Sequence, residues 1–368
     1  MRPTWADVDL AVIKRNIREL KKLVSPALFC AVVKADAYGH GAIPVARAAV
    51  DAGANWLAVA LVEEGKELRE AGIEIPILVL SEPRPSEMLE VVDCGLVPTV
   101  YSGAGIAAAS AAASASNTVM EVHLKVDTGM RRVGVEPSFA VTLAQSIKER
   151  PSLSLEGMWT HCAVADEPNN PFSKLQLKIF NAVLAECEEA KIPIRIRHAA
   201  NSALSINNPE GRYDMVRCGI ATYGIPPYRK GLAPISLAPA MSLRSEVSFV
   251  KDIKKGEGVS YGLAWKSSCD TRVATVPMGY ADGLRRNSGH LGGKVIIQGQ
   301  KLPIVGNVTM DQFLVDCGTA NVQSGDEVIL IGSQGDKAIT AEDWAEWLGT
   351  IPYEIICGVE SRIPRRYL

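Results

Sequence analysis

The chain has 368 residues, a formal net charge of −2, and 47% hydrophobic and 22% charged residues, the profile of a globular protein too long for one ordinary core. The balanced charge, with no run of like sign, argues against a general nucleic-acid binder. Nothing approaches the ~18 consecutive apolar residues of a membrane span. Asp7, Asp9 and Glu19 interrupt the start, where a signal peptide needs an apolar core. Eight cysteines are scattered without a C-x-x-C pair, and five histidines form no metal-ligand cluster. Reduced thiols, no metal and a cytoplasmic protein are therefore expected.

From residue 10 onward, short apolar runs alternate with segments of helical periodicity. The runs are Leu28–Val33, Trp56–Ala60, Pro76–Leu80, Leu96–Val100, Val119–Val126, Leu155–Trp159, Ile192–Ile196 and Tyr213–Val216. Before the first, Ile13, Ile17, Leu20 and Val24 share one helix face. After Pro171, Leu175, Ile179, Val183, Leu184 and Cys187 do the same. Ala104–Ser116 is almost all Ala and Ser; because Ala is the best helix former, it reads as a packed helix in preference to a linker. Eight strands alternating with helices predict a parallel (β/α)8 barrel of the TIM type over residues 10–235. The alternative, a doubly wound sheet, would carry G-x-G-x-x-G after its first strand, where this chain has Lys34-Ala35-Asp36-Ala37-Tyr38-Gly39.

The beat changes after Tyr223. Pro226, Pro227, Pro234 and Pro239 mark a connection. Extended runs follow at Ser242–Lys251, Arg272–Val276, Lys294–Ile297, Lys301–Val305, Gln312–Asp316 and Glu327–Ile331, with one short helix at Ala341–Gly349. Residues 236–368 are expected to form a mostly β domain.

In a (β/α)8 barrel the chemistry gathers at the carboxyl ends of the strands. The first run ends in Lys34 and then Tyr38, and the fifth in Lys125 and Asp127 with Arg131 and Arg132 beyond. The sixth ends in Thr160 and His161, the seventh in His198, Asn201 and Ser202, and the eighth in Arg217, Cys218 and Gly219. Each has an ordinary explanation: a solvated lysine, a half-buried histidine, an ion-paired arginine, a core tyrosine with a wet tip, an Asn-Ser helix cap. Their convergence on one rim favours a site. A lysine at a low-dielectric mouth loses its proton readily and can form a Schiff base with an aldehyde. That suits either an aldolase joined directly to its substrate or an enzyme using pyridoxal phosphate (PLP). Asn201-Ser202 and Gly219-Ile220 offer small residues and amides for a phosphate on the last two strands. Arg217, a donor that stays protonated, would keep a facing pyridine nitrogen unprotonated and weaken the ring as an electron sink. A rapid proton swap tolerates this better than decarboxylation or transamination does.

In order along the chain, VKADAYGHG (Val33–Gly41), KVDTGMRRVG (Lys125–Gly134), THCAVADEP (Thr160–Pro168), HAANSAL (His198–Leu204) and VRCGIATYG (Val216–Gly224) resemble the motifs of the alanine racemase family. So do VSYGLAW (Val259–Trp265), MGYADG (Met278–Gly283), GNVTMDQ (Gly306–Gln312) and SRIPR (Ser361–Arg365), so the resemblance covers essentially the whole chain. It implies a PLP-dependent isomerase that interconverts L- and D-alanine and supplies D-alanine for peptidoglycan. Lys34 is implied to hold the cofactor and to be the base toward the D-enantiomer. Tyr261 is implied to be the base toward the L-enantiomer, supplied by the other subunit of a homodimer. Arg217 would meet the pyridine nitrogen, with His161 linking it to that tyrosine, while Tyr38, Ser202, Gly219 and Ile220 hold the phosphate. Arg132 and the Met310 backbone would take the substrate carboxylate, and Tyr280 resembles a residue lining the entry corridor. Lys125 matches a position carbamylated in many members, where the new carboxylate orients the substrate-binding arginine. Thr4–Asp9, within residues 1–9, would join the β domain as a strand. Some relatives carry a cofactor-bracing tyrosine where this chain has Ser361.

Two bases suit racemisation, because a proton leaves one face of Cα and another returns on the opposite face. A tyrosine serves only where nearby positive charge favours its phenolate, and Arg217 acting through His161 is the candidate source. Three other functions stay open: a racemase of another small amino acid or of broad range, a barrel-fold decarboxylase, and a PLP carrier without turnover. The second would want a carboxylate where this chain has Arg217; the third would lack the β domain and its tyrosine.

Overall fold

A computed structural model describes residues 2–227 and 235–368; Pro234, one of the four prolines of the expected connection, lies outside the described residues. The chain divides into two units, Ala11–Ala37 with Ala42–Ala238, and Met1–Leu10 with Tyr38–Gly41 and Pro239–Leu368.

In the first unit the strands are Leu28–Val32, Trp56–Val59, Ile77–Val79, Val97–Val100, Met120–Lys125, Leu153–Trp159, Ile196–His198 and Met215–Cys218. All pair in parallel, in the order seven, six, five, four, three, two, one, eight. The Asp214 N–H donates to the Arg197 carbonyl at 3.0 Å and the Arg217 N–H to the Ala200 carbonyl at 2.9 Å, which draws the two edges together. The result is the expected barrel, nearly closed, with strands buried on both faces as a sheet flanked by helices requires. The helix Leu10–Val24 buries Ile13, Ile17, Leu20 and Val24, the face its spacing indicated. The Ala/Ser segment is the helix Gly103–Ala115. Its cap, Ser102, accepts from the Gly105 N–H at 2.9 Å, and the Glu82 carboxylate accepts from the amides of Tyr101 and Ser102.

Three local expectations shift. The helix Phe172–Glu189 buries Gln176, Leu177, Phe180, Val183 and Cys187, leaving Leu175 48% exposed. The stripe is rotated because the polar Gln176 points inward to hydrogen-bond the barrel rim. The seventh strand begins at Ile196, after Pro193, whose missing N–H cannot join a ladder. The run Ser242–Lys251 splits into the strands Met241–Glu246 and Phe249–Ile253, because the chain changes neighbours between them. The first pairs with Thr4–Val8 and Glu327–Gln334, the second with Thr271–Val276.

The second unit is mostly β. One ten-stranded sheet has the path Phe249–Ile253, Thr271–Val276, Phe313–Gly318, Gln300–Val305, Lys294–Ile297, Glu327–Gln334, Met241–Glu246, Thr4–Val8 and Arg365–Tyr367, with Lys337–Ile339 pairing off it. Two short helices, Ala341–Leu348 and Pro352–Cys357, follow. Arg2 makes a two-pronged ion pair with the fully buried Asp282, at 2.9 and 2.7 Å. Among the described residues no helix is long and apolar enough to cross a membrane.

Candidate active site

Directly after the first barrel strand the backbone turns left-handed. Ala35, Asp36, Ala37 and Tyr38 have φ of 52, 51, 52 and 55°, and Gly39 follows at 79°. Such a turn costs roughly 1–2 kcal/mol per L-residue, so it must be held from outside. The Glu64 carboxylate accepts from the amides of Ala35, Ala60 and Leu61 at 2.6, 2.7 and 3.1 Å, and Asp36 accepts from the Ala42 N–H at 2.7 Å. Gly39 lies so close to the Ile356 carbonyl oxygen that a Cβ would sit 2.4 Å from it. Lys34 opens this turn and Tyr38, buried beside Tyr353, closes it. Strain of this kind concentrates where side chains must be aimed.

Arg217 is buried on the eighth strand, held through both of its terminal nitrogens. Its Nη2 donates to the carbonyls of Thr160 at 2.9 Å and Ala199 at 3.2 Å and lies 3.5 Å from His161 Nδ1. Its Nη1 donates to His198 Nδ1 at 2.7 Å. Arginine cannot accept, so His198 keeps its proton on Nε2 and donates it to His123 Nδ1 at 2.8 Å. His123 is thereby left with its proton on Nε2, which is buried without a partner among the described residues. Burial, reinforced by the Arg217 charge, lowers His123 to about 3 and holds His198 and His161 well below the ordinary histidine range. All three rings are neutral at working pH. Burial also lowers Arg217 to about 10, which leaves it cationic near neutrality.

Trp159 forms the floor under these groups. It stacks on His198 (centroids 5.6 Å apart, planes 11° apart), and its ring lies 4.5 Å from the Arg217 guanidinium and 4.3 Å from the Lys125 ammonium nitrogen. Burial first, then the charges of Arg132 and Arg217, push Lys125 down to about 7. The charges of Arg132, Lys125 and Lys34 also act on His161, so the structure gathers four of the expected rim residues with Arg217 in one cationic field. Gln176 holds the rim: its Oε1 accepts from the Ala163 N–H at 2.8 Å, and its Nε2 donates to the His161 carbonyl at 3.1 Å.

On the last two strands, Ser202 Oγ accepts from the amides of Gly219 at 2.9 Å and Ala221 at 3.3 Å. Its own hydroxyl proton is thus free to point elsewhere. Asn201 Oδ1 caps the short helix Ser202–Asn207 by accepting from the Leu204 N–H at 3.0 Å. Ile220 opens the 3-10 turn Ile220–Tyr223, so its amide has no donor role inside that turn.

The second unit presents Tyr261, Tyr280 and Met310 on three loops, all exposed, Tyr261 to 70%. The loops are tied backbone to backbone: the Tyr280 N–H donates to the Thr309 carbonyl at 2.9 Å and the Ala281 N–H to the Met310 carbonyl at 3.1 Å. Asn307 Nδ2 donates to the Tyr261 carbonyl at 2.8 Å.

The model of the alanine racemase N-terminal domain matches residues 8–227, and that of the alanine racemase C-terminal domain matches residues 240–367. The chain belongs to the alanine racemase family. Alanine racemases from Symbiobacterium thermophilum and Halothermothrix orenii are 45% and 42% identical to it, each covering 100% of this chain and 97% of the relative. A crystal structure of alanine racemase from Bacillus anthracis with bound L-Ala-P superposes with a TM-score of 0.95 at 38% identity, covering 100% of this chain and 95% of that one. The chain is accordingly an isomerase acting on a small amino acid, and it interconverts L- and D-alanine.

Several residues that build this racemase's site were not singled out from the sequence. His123 and Trp159 lie inside predicted strands and read as core. Gln176 is one polar residue on a helix, and Glu64 is one of many surface acids by composition. The one available signal was Gly157, a glycine in the middle of a strand, which marks a close approach of another group.

Proposed function

We propose that this racemase binds PLP at the barrel rim through Lys34, Tyr38, His161, Asn201, Ser202, Arg217, Gly219 and Ile220. The observation that carries the reading is Arg217, a buried cation locked by two carbonyls and a neutral histidine at the mouth where Lys34 stands. The donor set fits the cofactor's three groups. Lys34 is an amine for its aldehyde, and Ser202 Oγ, already accepting from two amides, has a proton to give a phosphate oxygen. The donor-only guanidinium of Arg217 suits an unprotonated pyridine nitrogen. Bound PLP supplies a conjugated ring that accommodates the electron pair left when the Cα proton departs.

Lys34 and Tyr261 act as the two bases, Lys34 toward D-alanine and Tyr261 toward L-alanine, one on each face of Cα. Arg132 and the Met310 backbone hold the alanine carboxylate, and Tyr280 lines the approach. Tyr261 is supplied by a second copy of the chain in a homodimer. Supporting this, Tyr261, Leu263, Tyr280 and Met310 are all large and exposed on the β-rich unit, a surface that a partner would cover. Lys125, with its pKa near 7, is an amine able to add carbon dioxide with release of a proton, giving a carbamate whose charge would orient Arg132. Residues 10–235 form the cofactor domain and 236–368, with 1–9, the domain that delivers Tyr261. The enzyme works in the cytoplasm and supplies D-alanine for peptidoglycan.

The test is spectroscopic and isotopic. Lys34→Ala should lose the yellow absorbance of lysine-linked PLP, whereas Tyr261→Phe should keep it and lose racemisation. Exchange of the α-proton in deuterated water, followed from each alanine enantiomer, assigns each base to its face. A purified protein that stays colourless and ignores added PLP overturns the cofactor reading. Near wild-type racemisation by Tyr261→Phe removes that residue from its role.

A further inference from the structure

The turn that presents Tyr261 does not hold its shape by local preference. Ser260 has φ 62° with ψ −177°, a region that side-chain-bearing residues avoid, and Gly262 and Leu263 follow with φ of 76° and 47°. Backbone strain over so few residues persists only when neighbours over-determine it. Here one residue supplies both anchors: Ser260 Oγ donates to the Asn307 carbonyl at 2.5 Å, and Asn307 Nδ2 donates to the Tyr261 carbonyl at 2.8 Å. The amide of Asn307 is buried and is met on its other side by His290 Nε2, 3.1 Å from Oδ1. Because Nδ2 must face a carbonyl, Oδ1 is left to accept, so His290 must carry its proton on Nε2. The chain His290–Asn307–Tyr261 therefore has one consistent direction of donation.

We propose that Asn307, oriented by His290, is the positioning residue that fixes Tyr261 for proton transfer. The inference rests on the reading of Tyr261 as the base toward L-alanine. It adds that the aim of the phenol is set by a side-chain clamp on the Tyr261 backbone. A displacement of about 1 Å at a reacting group costs on the order of 10²-fold in rate, so loss of the clamp should be visible even though Asn307 touches no reacting atom.

The holoenzyme variants Asn307→Leu, Asn307→Asp, His290→Leu and His290→Gln test this, with Tyr261→Phe alongside. Leucine matches the volume without the hydrogen bond. Aspartate turns an oxygen on the Tyr261 carbonyl, and glutamine can replace the histidine donor. Backbone hydrogen exchange over residues 258–266 should quicken in both Asn307 variants and in His290→Leu, and return toward wild type in His290→Gln. Racemisation should fall about 10- to 100-fold in both directions, as equilibrium requires, mainly in kcat. α-Proton exchange without racemisation should slow for L-alanine while that for D-alanine persists.

If Tyr261→Phe is inactive but Asn307→Leu racemises like wild type, the clamp is refuted and the base assignment stands. If Tyr261→Phe itself racemises normally, the base assignment fails, and the catalytic meaning of the clamp goes with it. Equal slowing of exchange from both enantiomers, with a lowered melting temperature and no rescue by His290→Gln, would reduce Asn307 to a structural part and overturn the proposal.

Discussion

Replacing Gly157 by alanine should damage this enzyme well beyond what one methyl group in a strand ordinarily does. At a backbone conformation open to any residue, Gly→Ala normally stabilises by about 0.4–1 kcal/mol through the unfolded chain. In the sixth barrel strand, however, a Cβ at position 157 would sit 2.5 Å from both Cε1 and Nδ1 of His123 and 2.8 Å from its Nε2. The ring has nowhere to go. It is fully buried, lies 5.3 Å from the Trp56 ring and accepts at 2.8 Å from His198. Overpacking of this kind costs about 1–3 kcal/mol. Pushing His123 away also strands the His198 Nε2 proton without water, for about 1–3 kcal/mol more. Set against the usual gain, the expected net loss is about 1–5 kcal/mol, large against a typical net stability of about 5–15 kcal/mol. Urea denaturation followed by tryptophan fluorescence, on wild type, Gly157→Ala, His123→Ala and the double variant, measures it. Since removing the ring makes room for the methyl, the double variant should be more stable than the sum of the singles by at least about 1 kcal/mol. Strict additivity, or a Gly157→Ala protein as stable as wild type, would refute the steric argument and the buried histidine chain behind it.

Three further outcomes follow from single contacts. Glu64→Ala strips the partner from three amides at 2.6–3.1 Å and should cost about 2 kcal/mol, with faster amide exchange at Ala35 and Ala60. Arg2→Ala leaves the fully buried Asp282 with Arg362 at 3.7 Å as its remaining cation, and should destabilise by about 3 kcal/mol in urea. Lys125, in its uncarbamylated form, sets a pH dependence. Its folded pKa, about 7, lies below the ordinary 10.5, so the unfolded chain holds more protons between those values. The penalty for burying the ammonium is full below pH 7 and disappears above 10.5, so stability should rise with pH across that window. Lys125→Met should flatten the rise in urea midpoints measured from pH 7 to 9.5, and an unchanged slope would exclude Lys125 as its source.

Much of the barrel was legible because its strands are buried on both faces and therefore appear as unbroken apolar runs. The misplacements have one physical origin: hydrogen-bonding demand that hydrophobic periodicity does not record. The stripe of Phe172–Glu189 is rotated by Gln176, a polar side chain turned inward to hold the rim. The seventh strand waits until the chain has passed Pro193. Residues 242–251 appear as one extended run in sequence but serve two different neighbours, a property of pairing that no local pattern can carry.

The same distinction runs through the site. Lys34, His161 and Arg217 could be picked out because ionisable groups at strand ends are conspicuous, and their chemistry follows from residue type. What aims them could not. The left-handed turn behind Lys34 depends on Glu64, which is 30 positions further along. The tautomers of His198 and His123 are fixed only because a donor-only arginine stands at one end of the chain. Tyr261 is likewise conspicuous in its motif, while Asn307, 46 positions away, sits in GNVTMDQ with nothing to mark its role, and His290, 29 positions away, lies outside every such motif. Groups that react are constrained in type and so leave a mark in the sequence. Groups that orient them need only one donor or acceptor in the right place, which many residue types can supply. Substitutions at Glu64, His123 and Asn307 should therefore alter geometry before they alter chemistry, and the exchange measurements should register them ahead of any change in cofactor colour.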